Sequence, residues 1–359
     1  MNRSVSDARL YPYALDPKLT NAIWGGDALV TEYGKNGDAN ATLGESWECW
    51  DENRVRNGPL AGQSIAQLRA TLGAELLGDL DASRIFPILT KIIDARDSLS
   101  VQVHPDDAYA RRVEGQPNGK TECWYVLHAQ PDAQLVLGWN ANTDRAEYER
   151  RVADGSLADI LRRVPVKAGD AFYLPAGMLH AIGAGIVLFE TQQASDLTYR
   201  IFDWNRAGAD GKPRELHVAK AADVLDYRQC RAGAIEELTY AFEGFQRTAL
   251  IADAHFIVER IIATETAATL ATRGRPLIVM ALDDALELQC DGGDARLEPY
   301  QTALIPAAAQ RVAIRSHDGV APFMFVTPPA SGETMPSRLR EAGVAAPAID
   351  RFLAQFTPS

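Results

Sequence analysis

The sequence predicts a mainly β protein of two jelly-roll barrels, with a few helices inserted and flanking. Three observations predict it. Apolar runs of four to seven residues recur along most of the chain, separated by Gly, Pro, Asn and Asp turns. Helical spacing is confined to a few segments. Finally, GDAFYLPAGMLHAIG (169–183) is echoed by PYQTALIPAAAQRVAI (299–314): apolar residues, Pro-Ala, small residues, then another strand. Aligning Pro175 with Pro306 sets His180 opposite Arg311. Two repeats of one β-barrel unit, the second without polar site residues, account for the pattern. A new run of strands begins near residue 235, dividing the chain into 1–235 and 236–359.

In the first unit the expected strands are PILTKIID (87–94), LSVQVHP (99–105), TECWYVLHA (121–129), AQLVLGW (133–139), DAFYLPAG (170–177) and GIVLFETQQ (185–193). The helical candidates are 64–78, with Ser64 as its cap, 144–164, interrupted near Gly155, and 215–227. The second unit offers strands at 255–263, 275–290, 302–309, 310–316 and 321–329, followed by a helical tail.

With 47% apolar and 23% charged residues, the 359-residue chain has ordinary globular composition. The N-terminus has no apolar segment of signal-peptide type, and no apolar run approaches the ~20 residues of a membrane helix. Four scattered cysteines (49, 123, 230, 290) form no metal-finger or disulfide pattern, so reduced thiols in a cytoplasm are the expectation. A net charge of -12 argues against nucleic acid and anionic membrane as partners. It leaves room for an anionic small substrate, because a few arginines suffice to make a local positive pocket. A monomer or weak homo-oligomer is expected.

The polar residues inside the strands carry the functional signal. In SLSVQVHPDDAY (98–109), Ser100, Gln102 and His104 share one strand face, and Leu99, Val101 and Val103 share the other. The polar face looks either at water or into a polar cavity. The same two-residue period groups Lys120, Glu122 and Trp124. The segment 169–183 matches G-x5-P-x-G-x2-H, the second motif of cupin barrels, through Gly169, Pro175, Gly177 and His180. It has Ala184 where cupins often have Asn. Imidazoles, one carboxylate and an amide oxygen, without a thiolate, suit a borderline divalent metal, usually zinc. Lys91 reads as a buried ion-pair partner, Asp106 and Asp107 as a turn or helix cap, and the tryptophans as core, with Trp24 as a candidate for a pocket mouth. His128, His217, His255 and His317 have no supporting partners and read as structural or surface residues.

Several segments together resemble the type I mannose-6-phosphate isomerases in their shorter bacterial form. They are WGG (24–26), GESWECW (44–50), NGPLAGQS (57–64), LSVQVHPDD (99–107), GKTECWYVL (119–127), 161–183, FETQQASDLTYRIFDWNR (189–206) and LHVAKA (216–221). The resemblance spans about residues 10 to 227. It implies a zinc-dependent aldose–ketose isomerase of the cupin superfamily, interconverting mannose 6-phosphate and fructose 6-phosphate through a cis-enediolate. By motif, Gln102, His104, Glu122 and His180 are the implied zinc ligands, one ion per chain. Arg200 is the implied active-site arginine, with Lys120 and Glu190 as catalytic candidates and Ser100 and Arg206 on the substrate. Residues 1–235 are then the metal-binding catalytic unit, and 236–359 a degenerate one. The competing readings are a cupin isomerase of another sugar, or a sugar-binding protein without catalysis.

Overall fold

A computed structural model describes residues 9–208, 211–263, 268–316, 321–329 and 334–356; His317 lies outside them. The chain is mainly β, and its strands form four sheets. The first half supplies a six-stranded sheet in the order Ala171–Leu174, Glu122–Ala129, Ile186–Gln193, Ile88–Ala95, Leu43–Cys49, Lys18–Gly26. It also supplies a five-stranded sheet in the order Tyr199–Phe202, Val101–Val103, His180–Ile182, Gln134–Trp139, Leu161–Pro165.

The second half retraces both paths. Thr302–Ile305, Leu277–Ala281, Pro322–Thr327, Ile257–Ala263, Phe245–Ala252 and Leu238–Phe242 follow the order of the six-stranded sheet. Tyr13–Asp16 and Arg54–Val55, from the N-terminal half, extend this sheet to eight strands. Ala268–Ala271, Arg311–Ser316, Leu286–Cys290 and Gly293–Leu297 form a four-stranded sheet. Its order matches four strands of the five-stranded one.

The sequence predicts closed barrels; the structure has open sheets facing in pairs. Each ladder ends at both edges. The reason is visible at the Pro/Gly turns, where the chain leaves one sheet and enters the facing one. Ala171–Leu174 belongs to the six-stranded sheet and His180–Ile182 to the five-stranded sheet. Between them Pro175 has no N–H to continue a ladder, and Gly177 turns the backbone at φ 86°.

The sheets stack in four layers, the inner two buried on both faces, whereas the four-stranded sheet alternates buried with exposed residues and keeps an outer face in water. Trp124, Phe172 and Leu188 of the six-stranded sheet pack on Leu135, Leu137 and Ile182 of the five-stranded sheet. Its other face, with Ile92, Tyr125 and Phe189, packs on Ile278, Leu304 and Met324 of the eight-stranded sheet. That sheet in turn presents Val279, Phe323 and Phe325 to Leu270, Leu288 and Ile314 of the four-stranded sheet.

The helices are shorter than their sequence patterns. Ser64 caps Ile65–Leu72 in a reciprocal box with Gln67, and Gly73 breaks the run before Ala74–Leu77. The 144–164 segment is helical only over Arg145–Asp154. Beyond Gly155, Leu161–Pro165 is a strand, drawn onto the free edge of Gln134–Trp139; tertiary pairing overrides its helical spacing. The third candidate is the helix Val218–Val224. The 275–290 run is two strands, since Asp283 and Asp284 turn the chain. The tail forms Met335–Glu341 and Ala346–Ala354, seated on Tyr240, Ala249 and Ile257.

Arg338, on the first tail helix, reaches a buried cluster. Glu259 accepts from Arg247 at 3.0 Å and Arg338 at 2.6 Å, and the Tyr240 hydroxyl also donates to it. All four residues are buried. Glu259→Leu would leave two buried guanidinium groups without their anion, a loss of about 3–5 kcal/mol. Denaturant unfolding is expected to show this loss, with the midpoint shifted to lower urea concentration.

Candidate metal centre and substrate cleft

Strand register brings the predicted ligands together. Gln102 stands opposite His180 on one side and Arg200 on the other, so the three form a row across the five-stranded sheet. In the facing sheet, Glu122 stands opposite Gln192, and Trp124 opposite Glu190, which in turn faces Lys91. His104 follows its strand directly, on the same face as Ser100 and Gln102 by alternation. The polar face of 98–109 therefore looks into the buried space between two sheets, toward Glu122.

The donor atoms of His104, Glu122 and His180 all lie within 4.8 Å of one another, and all three residues are buried. His104 Nδ1 is 2.7 Å from the Leu197 carbonyl and His180 Nδ1 2.9 Å from that of Met178. Each carbonyl requires a proton on Nδ1, which leaves an Nε2 lone pair facing Glu122. Those nitrogens sit 3.4 and 3.3 Å from the two Glu122 oxygens. The Lys120 ammonium is 2.6 Å from Glu122 Oε1, but off the line of a hydrogen bond. Both Glu122 oxygens and His180 Nε2 are thus buried without a hydrogen-bond partner.

Burial first, then the Lys120 ammonium, pushes His104 down to about 3, so its imidazole is neutral. Burial raises Glu122, but Lys120 and His104 outweigh it and hold the carboxyl well below its ordinary value. Two imidazoles beside an ionised carboxylate, with unpartnered atoms converging, are the donor set of a divalent-metal site. The residues present fit such an ion. Gln102 shares that strand face, opposite His180 in the register.

A second polar group continues along the six-stranded sheet. Lys91 lies 3.4 Å from Glu190 and 3.5 Å from Glu45, an ion-pair partner as its sequence setting suggested. Trp124 Nε1 donates to Glu190 at 2.9 Å, and Trp47 Nε1 to Glu45 at 2.6 Å. Burial and then the Glu122 charge raise the Glu190 pKa, against the pull of Lys91. Glu45 is half-buried; burial raises its pKa, but Lys91 and the Trp47 N–H outweigh it and hold the carboxyl below its ordinary value.

The group opens on a cleft of ≈ 550 Å³ lined by Asn21, Trp24, Glu45, Trp47 and Arg214 among others. Trp24 is a buried core residue that also lines the cleft, and Trp124 is core. Beside the cleft, Asp203 accepts from Arg206 Nε at 3.0 Å and from Arg214 Nε and Nη2 at 2.7 and 2.6 Å. Arg200 donates to the Glu215 carbonyl at 3.0 Å, and its backbone N–H donates to His217 Nδ1 at 3.1 Å. His217 is thereby a structural residue. Ser100 is buried at the start of its strand. Asp106 caps the short helix Asp107–Tyr109, as expected.

Sequence reasoning missed Glu45, Arg214 and Gln192 as members of this region. The two-residue period in GESWECW puts Glu45 and Trp47 on one face and was the available signal for Glu45. Arg214 lies in a loop where no period applies.

A family profile described as "Phosphomannose isomerase type I, catalytic domain" matches residues 13–132. The mannose-6-phosphate isomerase of Streptococcus mutans is 40% identical over 251 residues, 69% of this chain and 77% of that one. The Bacillus subtilis mannose-6-phosphate isomerase ManA is 43% identical over 222 residues, 60% of this chain and 68% of that one. A crystal structure of the mannose 6-phosphate isomerase from Bacillus subtilis superimposes with a TM-score of 0.80 at 31% identity. It covers 88% of this chain and 99% of that one. The order of the strands, the buried His–Glu–His group and these similarities converge: the chain belongs to the type I phosphomannose isomerase family.

Proposed function

We infer that the chain interconverts mannose 6-phosphate and fructose 6-phosphate through a cis-enediolate, with one zinc ion held by His104, Glu122, His180 and Gln102. The observation that carries this reading is the convergence of unpartnered, buried His and Glu donors beside a second buried carboxylate, Glu190. The names of the relatives supply the sugar. Residues 1–235 form the metal-binding unit and 236–359 a cupin-type copy without a site. The absence of a helix long and apolar enough to cross a membrane, among the described residues, is consistent with cytoplasmic action.

A divalent ion in this site would supply Lewis-acid stabilisation of the negative charge that develops on the sugar oxygens. The chain's own residues do the rest. The Glu190 carboxylate takes the C2 proton of the open-chain aldose, and the freed electron pair becomes the C1–C2 double bond of the enediolate. Glu190 returns that proton to C1, giving the ketose. Lys120, beside Glu122 and His104, moves a proton between O1 and O2 as the carbonyl shifts from C1 to C2. Arg200 faces the developing negative charge from the opposite sheet, while Ser100 and Arg206 hold the substrate. Trp124 and Phe172 keep bulk water from the enediolate.

A coupled assay with and without chelator, read beside metal analysis, tests the metal. His104→Ala and Glu122→Gln are expected to lose bound metal and about 10³-fold in kcat while retaining their β-sheet circular dichroism. Full turnover by metal-stripped His104→Ala protein would overturn the reading.

Glu190→Gln is expected to lower kcat by about 10²- to 10⁴-fold, the usual contribution of a positioned base. A base works ionised, so activity rises with pH through its pKa. Because burial and Glu122 raise that pKa, the acid limb of the kcat profile should lie above the ordinary Glu value of about 4.3. Exchange of the C2 proton with deuterated solvent should be lost with Glu190→Gln; retention would remove Glu190 from the role.

A further inference from the structure

The arginines beside the cleft are held in an arrangement that structural packing alone does not require. Asp203 ends the strand Tyr199–Phe202, and the chain then turns tightly through Trp204 and Asn205, both with positive φ (56° and 55°). Asn tolerates that conformation; Trp seldom adopts it. The turn is closed by the Arg206 N–H donating to the Asp203 carbonyl at 3.1 Å. Trp204 is fastened by its indole N–H to the Leu99 carbonyl at 2.7 Å. The result returns Arg206 onto Asp203, while Arg214 reaches the same carboxylate with two N–H groups.

Two guanidinium groups thus share one buried carboxylate, and that of Arg200 stands close enough to feel their charge. Burial and then the nearby Arg214 charge lower the Arg200 pKa, and Arg206 adds to the effect, so Arg200, Arg206 and Arg214 repel one another. Arg200 Nε is buried without a hydrogen-bond acceptor, and Arg206 Nη2 lies 2.8 Å from Asp203 Oδ1 as an ion pair out of hydrogen-bond alignment. Three guanidinium groups here face the two carboxylates of Asp203 and Glu215, a local positive excess that suits an anionic phosphoryl group. Of the three, Arg214 lines the cleft itself, with Glu45 and Trp47.

We propose that Arg214, aligned by Asp203, is the specificity-determining residue that recognises the phosphoryl group of the substrate. The proposal rests on the isomerase reading for the identity of the sugar, and on the cleft geometry for the anion. Asp203 is a positioning residue: it occupies one edge of the Arg214 guanidinium and fixes the plane of its remaining N–H groups. A planar fork of donors binds phosphate in two places, which a point charge does not.

The test uses the metal-loaded full chain with two probes, mannose 6-phosphate and inorganic phosphate. Arg214→Met is expected to raise KM for mannose 6-phosphate by about 10- to 100-fold, with kcat falling less than KM rises. Its inhibition constant for inorganic phosphate should rise in parallel. Arg214→Lys, which keeps the charge and loses the fork, should fall between wild type and Arg214→Met, and Asp203→Asn should show the same split of KM from kcat. Retained metal content identifies variants that are folded. An unchanged KM and an unchanged phosphate constant in Arg214→Met would overturn the proposal, as would a loss confined to kcat. If the wild-type chain fails to isomerise mannose 6-phosphate, the functional reading falls, and calorimetric binding of inorganic phosphate then decides this proposal alone. Loss of that binding in Arg214→Met upholds it, and retention overturns it.

Discussion

The structure depends on the burial of one negative charge, that of Glu122. Taking a carboxylate out of water costs several kcal/mol even after relaxation, and here no hydrogen bond to either oxygen offsets it. What compensates is electrostatic, the Lys120 ammonium at 2.6 Å, while two imidazoles approach with their lone pairs. Lone pairs facing a carboxylate repel it. Positive charge among the three donors would relieve that repulsion, and each imidazole is fixed from behind by a backbone carbonyl. The facing sheets, the Pro175 turn and the strand register all place these atoms.

The second half shows what the same scaffold becomes without that charge. Counting along the ladders from Pro175 and Pro306, the place of Glu122 is taken by Leu277, that of Trp124 by Val279, and that of Glu190 by Phe325. The place of His180 is taken by Arg311, which is exposed. The interior is then filled by Leu270, Leu288, Val312 and Ile314. One polar position persists: Glu259 stands where Lys91 stands in the first half. There the charge is closed off by Arg247 and by Arg338 from the tail helix, where the first half leaves a cleft. A single strand order therefore supports an open polar mouth or a sealed one, according to what its inner positions carry.

Much of the site was legible in the sequence because strand alternation is a strict rule. Gln102 with His104, and Lys120 with Glu122 and Trp124, could be assigned to faces from spacing alone, and the G-x5-P-x-G-x2-H segment located His180. The echo of Pro175 in Pro306 was legible for the same reason. Three things were not. Arg214 approaches Asp203 across a loop, and loops carry no period. Closure was misjudged because apolar alternation is the same in a barrel and in facing open sheets; only the pairing at the edges separates them. Leu161–Pro165 was read as helix because its partner, Gln134–Trp139, lies outside any local window.

The N-terminal strand Tyr13–Asp16 has a consequence for how the protein is made. It pairs with Thr302–Ile305 on one side and with Arg54–Val55 of its own half on the other. Nearby, Lys35 bonds the Tyr300 carbonyl across 265 residues and meets the buried Glu48 carboxylate at 2.7 Å. A ribosome delivers the first strand long before its distant partner exists. Contacts of such sequence separation form late and slowly, and until they do an unpaired strand edge lies open to wrong partners. Completion of the half that carries the His–Glu–His group must therefore wait on synthesis of the half that carries none. The silent copy acts as a built-in timer, and it withholds a finished first half until the chain is nearly whole.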